Sequence, residues 1–130
     1  MARKYRARRF EGCIYIIHLD TPLHHARHYI GFTTDIWQRF ETHATGQGSP
    51  YLRAALIEGC VFRVVRLIEG DRTRERILKN RHGAAVFCPI CSGEGMLIIG
   101  EELTVPDGLI AVPGCKLPSG RVCIAHDNGL

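Results

Sequence analysis

Two short runs of β-branched and aromatic residues near the start of the chain restrict its fold more than any other feature. Residues 12–19 read GCIYIIHL and residues 28–33 read HYIGFT, and runs of this kind predict β-strands. A turn signal, Asp20-Thr21-Pro22, lies between them. We therefore predict an antiparallel hairpin with a long connection, in which one strand carries Tyr15 and the other carries Tyr29.

Two helices, a third strand and a third helix are predicted to follow the hairpin. The first helix covers Asp35 to Ala44, and the second covers residues 51–58 after the capping pair Ser49-Pro50. The third strand covers residues 61–68, and the third helix covers residues 71–82. The order β-β-α-α-β-α predicts an α/β (α+β) fold, with a small three-stranded antiparallel sheet flanked by helices.

Composition divides the chain into a basic N-terminal arm (residues 1–11), a globular domain (12–83) and a C-terminal extension (84–130). The extension is rich in Gly and Pro, contains cysteines and has short apolar runs, so we predict a small β-rich appendage. No apolar run approaches the length of a membrane helix. The opening MARKYRARRF lacks the apolar core of a secretory signal. We therefore expect a cytoplasmic protein with no membrane partner.

Basic residues are concentrated in the first two thirds of the chain. Residues 1–92 contain 15 Lys and Arg against 8 Asp and Glu. The arm carries Arg3, Lys4, Arg6, Arg8 and Arg9, and the third predicted helix carries Arg72, Arg76 and Lys79. Such clusters favour a polyanionic partner such as DNA or RNA. The alternative for the arm is a solvated tail that only aids solubility.

The first predicted helix places two further polar groups close to the hairpin. Arg39 and His43 are four residues apart, so they are neighbours along one flank of the helix. We expect both at the rim of the surface that the helix covers, neither in the core nor fully in water. Together with Tyr15 and Tyr29 they supply two phenols, a fixed cation and an imidazole. These are groups that an attack on a phosphodiester requires.

The pattern closely resembles the GIY-YIG nuclease family over residues 12–82. The first motif is Cys13-Ile14-Tyr15, and the second is Tyr29-Ile30-Gly31. Arg39 matches the arginine of the family's first helix, and His43 matches the histidine that follows it in many members. Residues 42–59 resemble the next segment of the homing-endonuclease-like branch. Glu75 matches the metal-binding glutamate of the third helix.

The resemblance implies an endonuclease that hydrolyses nucleic-acid phosphodiester bonds with a divalent metal, Mg²⁺ or Mn²⁺, and we expect the nucleic acid to be DNA. It implies catalytic roles for Tyr15, Tyr29, Arg39, His43 and Glu75, with Glu75 as the metal ligand. The chain departs from the family pattern in three places. Cys13 replaces a glycine, Leu23 to Arg27 look like an insertion at the hairpin tip, and Phe32 stands where some branches have a lysine. The last change favours His43 as the supporting group.

Each site residue also has a purely structural interpretation. Strand tyrosines are commonly core residues with a hydroxyl at the surface, and Glu75 can pair with Lys79 at i,i+4. If those interpretations hold, the chain is a non-catalytic nucleic-acid-binding module on a nuclease-like scaffold, possibly stabilised by zinc. The agreement of spacing, order and predicted element type favours the enzyme.

Six cysteines in a cytoplasmic chain indicate reduced thiols or metal ligands. Cys88 and Cys91 form a C-x-x-C turn, and Cys123 with His126 offers a second pair for a structural Zn²⁺. Unrelated thiols are the favoured alternative. The histidines of the hairpin, His18, His24, His25 and His28, are expected in an exposed polar loop, with metal binding as the less favoured alternative and a substrate contact open to His28, which precedes Tyr29.

Overall fold

The computed structural model describes residues 12–24, 26–80, 87–91, 102–116 and 122–125. For residues 114–116 and 122–125 it describes the backbone alone. The basic arm lies outside the described residues, and so do the side chain of Cys123 and the whole of His126.

Strands and helices follow one another in the predicted order over the first two thirds of the chain. The hairpin and the helices after it are β1 (Cys13–Leu23), β2 (Ala26–Thr33), α1 (Ile36–Ala44) and α2 (Pro50–Ile57). They are followed by β3 (Phe62–Glu69), α3 (Arg72–Lys79), β4 (Glu102–Leu103), β5 (Ile110–Lys116) and β6 (Val122–Ala125). The predicted fold class, an antiparallel sheet flanked by helices, is confirmed.

The described strands form one sheet in the order β2-β1-β3-β5-β6, and β4 pairs with another part of β3. The C-terminal extension is rich in strands, as predicted, but these strands continue the sheet of the hairpin. Phe62 and Arg63 of β3 pair with Ala111 and Ile110 of β5. A three-stranded sheet would leave the hydrogen-bonding edge of β3 open, and the extension covers that edge.

The hairpin is longer than its hydrophobic runs predict. Tyr15 pairs with Gly31 and His18 with His28, and pairing resumes at Leu23 and Ala26 after an irregularity. Most of the predicted connection is therefore strand, and the extra residues of β1 are accommodated in the irregular stretch. His24, at the tip, has a φ of 51°, in the left-handed region that a tight turn requires.

Alternation along β1 divides the core into two layers, one on each face of the sheet. Tyr15 and Ile17 face α1 and α2 and pack with Phe40. Ile14 and Ile16 face the other way and pack in a second cluster that also contains Ile30, Ile68, Leu78 of α3 and Phe87. The hairpin is therefore covered by helices on both faces.

Each helix begins at a residue whose side chain accepts a hydrogen bond from a backbone N–H of the first turn. These residues are Asp35 for α1, Ser49 for α2 and Asp71 for α3. Pro50 follows Ser49 in the first turn of α2, where its missing N–H has no effect. None of the described helices is both long and apolar enough to cross a lipid bilayer.

Candidate active site

Tyr15 and His43 form a buried pair between β1 and α1. Both side chains are completely buried, and the Tyr15 Oη lies 2.7 Å from the His43 Nε2. The backbone N–H of Ser49 donates to the His43 Nδ1 at 3.2 Å. A nitrogen that accepts carries no hydrogen, so the imidazole hydrogen belongs on Nε2. His43 therefore donates to Tyr15.

The protonation state of His43 agrees with this arrangement. Burial, and secondarily the positive charge of Arg39, lower the pKa of His43 from 6.5 to about 4. The imidazole is therefore neutral near pH 7. A neutral ring can accept from Ser49 and donate to Tyr15 at the same time.

Arg39 provides a second donor to the same phenol. Its Nε donates to the Tyr15 Oη at 3.4 Å. Burial raises the pKa of Tyr15, whereas the hydrogen bond from Arg39 lowers it. In turn, the hydrogen bond to Tyr15 raises the pKa of Arg39. Since the phenol oxygen accepts from both His43 and Arg39, neither of these bonds uses the hydrogen of the phenol.

Tyr29 completes a group of three aromatic rings. Its ring centroid lies 6.1 Å from that of Tyr15 and 5.3 Å from that of His43, the latter in an edge-on arrangement. Tyr29 is only partly buried, whereas the other two rings are fully enclosed. Of the two phenols, Tyr29 is therefore the one in contact with solvent.

Two glycines make room for the buried pair. Gly31 lies opposite Tyr15 on β2, and a Cβ atom there would overlap the phenol. Gly48 lies against His43, and a Cβ atom there would overlap the imidazole. The glycine of the second motif is thus required by close approach of a ring. The role of Gly48 was not predicted from the sequence.

Glu75 lies on α3 and is largely buried, at 8% exposure. Its Oε2 accepts from the Lys79 Nζ at 3.2 Å, which is the i,i+4 pair that the sequence suggested. The same ammonium lies 6.0 Å from the Tyr29 ring centroid. The Glu75 Oε2 is therefore no farther from the Tyr29 ring centroid than the sum of these two distances.

Comparison with known protein families identifies the domain that carries these residues. A family model for the GIY-YIG catalytic domain matches residues 11–84, more than half of the chain. The chain belongs to the GIY-YIG family. Comparisons with curated proteins and with solved structures found no match. Membership implies nuclease activity in general terms, and a GIY-YIG nuclease acts on a nucleic acid with a divalent metal.

The placement predicted for His43 in this GIY-YIG domain was wrong. His43 was expected at the rim of the helix but is completely enclosed. The buried face of α1 consists of Phe40, His43 and Ala44. Burial of the imidazole costs little because both of its nitrogens have hydrogen-bond partners. Arg39 is partly buried, as expected for the rim.

The predicted contacts with nucleic acid lie partly outside the described residues. The arm cations Arg3, Lys4, Arg6, Arg8 and Arg9 are not among the residues that the structure describes. Arg72, Arg76 and Lys79 are exposed on α3, and the Arg72 guanidinium lies 5.1 Å from the Phe32 ring centroid.

The C-x-x-C pair has neighbours that the sequence did not suggest. Cys88 and Cys91 lie beside His18 and His28 of the hairpin. The expectation that the hairpin histidines form an exposed loop is wrong for His18, which lies in β1 and is 4% exposed, and for His28, which lies in β2 and is partly buried. The sequence does contain a signal that brings His18 and His28 together. If Tyr15 pairs near Gly31, strand alternation places His18 and His28 together on the face opposite the tyrosines.

Proposed function

We propose that the protein is a metal-dependent endonuclease that hydrolyses phosphodiester bonds, with DNA as the preferred substrate. The observation that carries the proposal is the phenol of Tyr15, which accepts hydrogen bonds from both His43 and Arg39. A tyrosine that merely packs in a core does not need two donors on its oxygen. A tyrosine that handles a proton or an attacking water does.

Tyr15 and His43 act as the proton-handling pair. Burial raises the pKa of Tyr15, so the phenol keeps its hydrogen in the protein alone. The two donors fix the oxygen as an acceptor and turn the O–H towards the reacting groups. The phenol orients the attacking water. It first releases its own proton to solvent, and its oxygen then takes a proton from that water, which restores the phenol as the hydroxide attacks. His43 stabilises the ionised oxygen through its Nε2–H.

Arg39 acts as the phosphate clamp. Its guanidinium has five N–H donors, and the bond to Tyr15 uses the hydrogen on Nε. The geometry of the remaining donors suits two oxygens of one phosphate, an arrangement that an ammonium group cannot reproduce. Partial burial strengthens such a contact, because less water competes for the charge.

Glu75 is the residue that would hold the divalent cation. Carboxylate oxygens are the hard ligands that Mg²⁺ and Mn²⁺ prefer, and the Lys79 ammonium that pairs with Oε2 belongs to an exposed side chain that an ion would displace. The group present therefore fits such an ion, with water and substrate oxygens completing its coordination. When bound, the ion supplies positive charge that favours ionised oxygen atoms and neutralises the phosphate.

The nucleic acid is held by the exposed cations of α3 together with the N-terminal arm. Arg72, Arg76 and Lys79 lie on the helix that carries Glu75. Contacts of this kind bind the phosphate backbone and carry no sequence information, so the proposed binding weakens steeply with salt. The cytoplasm remains the proposed location.

The test is cleavage of supercoiled plasmid DNA in the presence of Mg²⁺ or Mn²⁺. We expect nicked or linear product, and no product when EDTA is in excess. Arg39→Ala and Glu75→Gln should abolish cleavage. The matched controls Arg53→Ala and Glu58→Gln, both at exposed positions of α2 or its end, should cleave like the wild type.

Two results would contradict the proposal. Full activity in Arg39→Ala or Glu75→Gln would refute the assigned roles. Salt-sensitive DNA binding without cleavage, with Mg²⁺, Mn²⁺ or other divalent ions, would indicate the non-catalytic binding module instead. A parallel series with single-stranded, branched and RNA substrates tests the preference for DNA.

A further inference from the structure

Four side chains with metal-binding atoms meet on the face of the hairpin opposite the tyrosines. They are His18 of β1, His28 of β2, and Cys88 and Cys91 of the C-x-x-C turn, and their ligand atoms all lie within 4.8 Å of one another. The Cys88 Sγ lies 3.5 Å from the His18 Nδ1. The Cys91 Sγ lies 3.7 Å from the same nitrogen and 3.4 Å from the His28 Nε2.

These separations fit the edges of a zinc tetrahedron. With Zn–S bonds near 2.3 Å and Zn–N bonds near 2.0–2.1 Å, a tetrahedral angle places a sulfur and a nitrogen about 3.6 Å apart. The three observed distances lie on either side of that value. Three of the separations among the four atoms therefore match those that one ion would impose, and all four atoms lie within 4.8 Å of one another.

Hydrogen bonds between thiols and imidazoles account for the cluster less well. The His18 Nδ1 has two sulfurs within 4 Å, although a single nitrogen lone pair accepts one S–H in line. The Cys91 Sγ likewise approaches both rings. Atoms that each have several partners at nearly equal distances are typical of ligands around a common centre.

We propose that His18, His28, Cys88 and Cys91 bind one structural Zn²⁺ ion. Two thiolates and two imidazoles in a tetrahedral arrangement are a zinc ligand set. The set supplies four protein ligands, so no position remains for water or substrate.

The fold positions the ligands independently of any ion. His18 and His28 are direct cross-strand partners, and their ring centroids lie 5.3 Å apart. Phe87, which precedes the turn, is 2% exposed, and its carbonyl oxygen accepts from the Arg66 Nη1 at 3.1 Å. Arg66 is in turn held by both carboxylate oxygens of Glu102. The C-x-x-C turn is therefore attached through Arg66 to β3, the strand next to β1 in the sheet.

A zinc ion at this site would restrain the hairpin on the face opposite the tyrosines. His28 is adjacent to Tyr29, and His18 is three residues beyond Tyr15, on the same two strands. An ion at this position ties both strands to the C-x-x-C turn and so restrains the two phenols on the opposite face. This role is structural, and the inference does not depend on the proposed nuclease activity.

The first experiment is metal analysis of the full-length protein purified without chelators. We expect one zinc per chain, released when the thiols are modified. After zinc removal, Co²⁺ should restore stoichiometric binding with the absorption of a tetrahedral site containing two thiolates. Protein that contains no zinc and takes up neither ion would overturn the proposal.

Variants assign the ligands. Cys91→Ser, at an exposed position, and His28→Asn should lose zinc, whereas Cys60→Ser and His24→Asn should keep one ion per chain. Zinc that is kept by both ligand variants but lost in Cys123→Ser would overturn this ligand set.

Thermal unfolding covers the case in which a ligand variant folds poorly. A chelator should lower the Tm of the wild type by about 5 °C or more. It should leave the Tm of Cys91→Ser unchanged, since that variant has no ion to lose. An equal shift in both proteins would contradict the proposed site.

Discussion

His43 donates from its Nε2 to the Oη of Tyr15 across 2.7 Å, and neither side chain is exposed to solvent. The direction of this bond is fixed from outside the pair, because the backbone N–H of Ser49 takes the other nitrogen as its acceptor. Ser49, the N-cap residue of α2, thus sets the tautomer of His43 on α1. Through His43 it also determines how Tyr15 on β1 is hydrogen-bonded. The proposed proton-handling group is built from three separate elements.

Tyr15→Phe separates the hydroxyl from the ring that fills the core. We expect the rate of plasmid cleavage to fall about 10²–10⁴-fold, as for loss of a proton-transfer group. The free energy of unfolding should fall by about 1–3 kcal/mol, because the Nε2–H of His43 loses its buried acceptor. Cleavage kinetics and urea unfolding measure the two effects.

Tyr51→Phe is the matched control for that substitution. The Tyr51 hydroxyl is a buried group with no hydrogen-bond partner among the described residues. Its removal should change neither the cleavage rate nor the free energy of unfolding by a comparable amount. A similar loss of activity in both variants would show that any hydroxyl deletion near α2 is harmful, and would remove the special role of Tyr15.

Gly31→Ala should displace the phenol without removing it. The new Cβ would overlap Tyr15, so the ring must move away from His43 and Arg39, and we expect cleavage to fall to the level of Tyr15→Phe. Gly59→Ala is the control, since Gly59 has a φ of 83° and open space around its Cβ position. That variant should lose about 1–2 kcal/mol of stability from backbone strain and keep its cleavage rate. Normal cleavage by Gly31→Ala would contradict the need for this contact.

The sequence predicted which elements carry the proposed site residues better than it predicted their surroundings. Tyr15 and Tyr29 could be placed on a hairpin and Arg39 on the next helix, because strand and helix periodicity are local signals. The burial of His43 was missed because its acceptor and donor partners, Tyr15 and Ser49, come from other elements. No local pattern shows that a polar side chain will find both.

The same difference between local and long-range signals explains why the pairing of the C-terminal strands and the neighbours of the cysteines were not predicted. The C-terminal strands were predicted as β structure, but their pairing with β3 depends on contacts between residues as distant as Phe62 and Ala111. Cys88 and Cys91 were recognised from their spacing. Their neighbours His18 and His28 are about 70 residues away along the chain, a separation at which spacing motifs carry no information.

Arg39→Lys keeps the positive charge and removes the planar group. A lysine cannot donate to Tyr15 and also hold two phosphate oxygens in the way that a guanidinium does. We expect cleavage to be nearly as low as in Arg39→Ala, whereas DNA binding, followed by fluorescence anisotropy, should weaken little. Arg53→Lys, at an exposed position on α2, should leave both unchanged. Substantial cleavage by Arg39→Lys would mean that charge alone suffices there.

The buried imidazole makes stability dependent on pH in a defined direction. The pKa of His43 is lowered from 6.5 to about 4 in the folded protein, so the unfolded chain binds a proton more readily. The free energy of unfolding therefore has its full value, as far as His43 is concerned, above pH 6.5. It decreases as the pH falls from 6.5 towards 4, because the unfolded chain takes up the proton first. The loss should approach about 3 kcal/mol for one group with a shift of this size.

Comparison of the wild type with His43→Gln isolates this contribution. His18 and His28 also have lowered pKa values, through burial in each case, but they are present in both proteins. Urea unfolding at several pH values should therefore show a difference in the free energy of unfolding that is constant above pH 6.5. Between pH 6.5 and 4 the difference should shrink, because the wild type alone must expel the proton of His43 in order to fold. A difference that stays constant across this range would mean that His43 titrates normally, and the acceptor role of its Nδ1 would then be wrong.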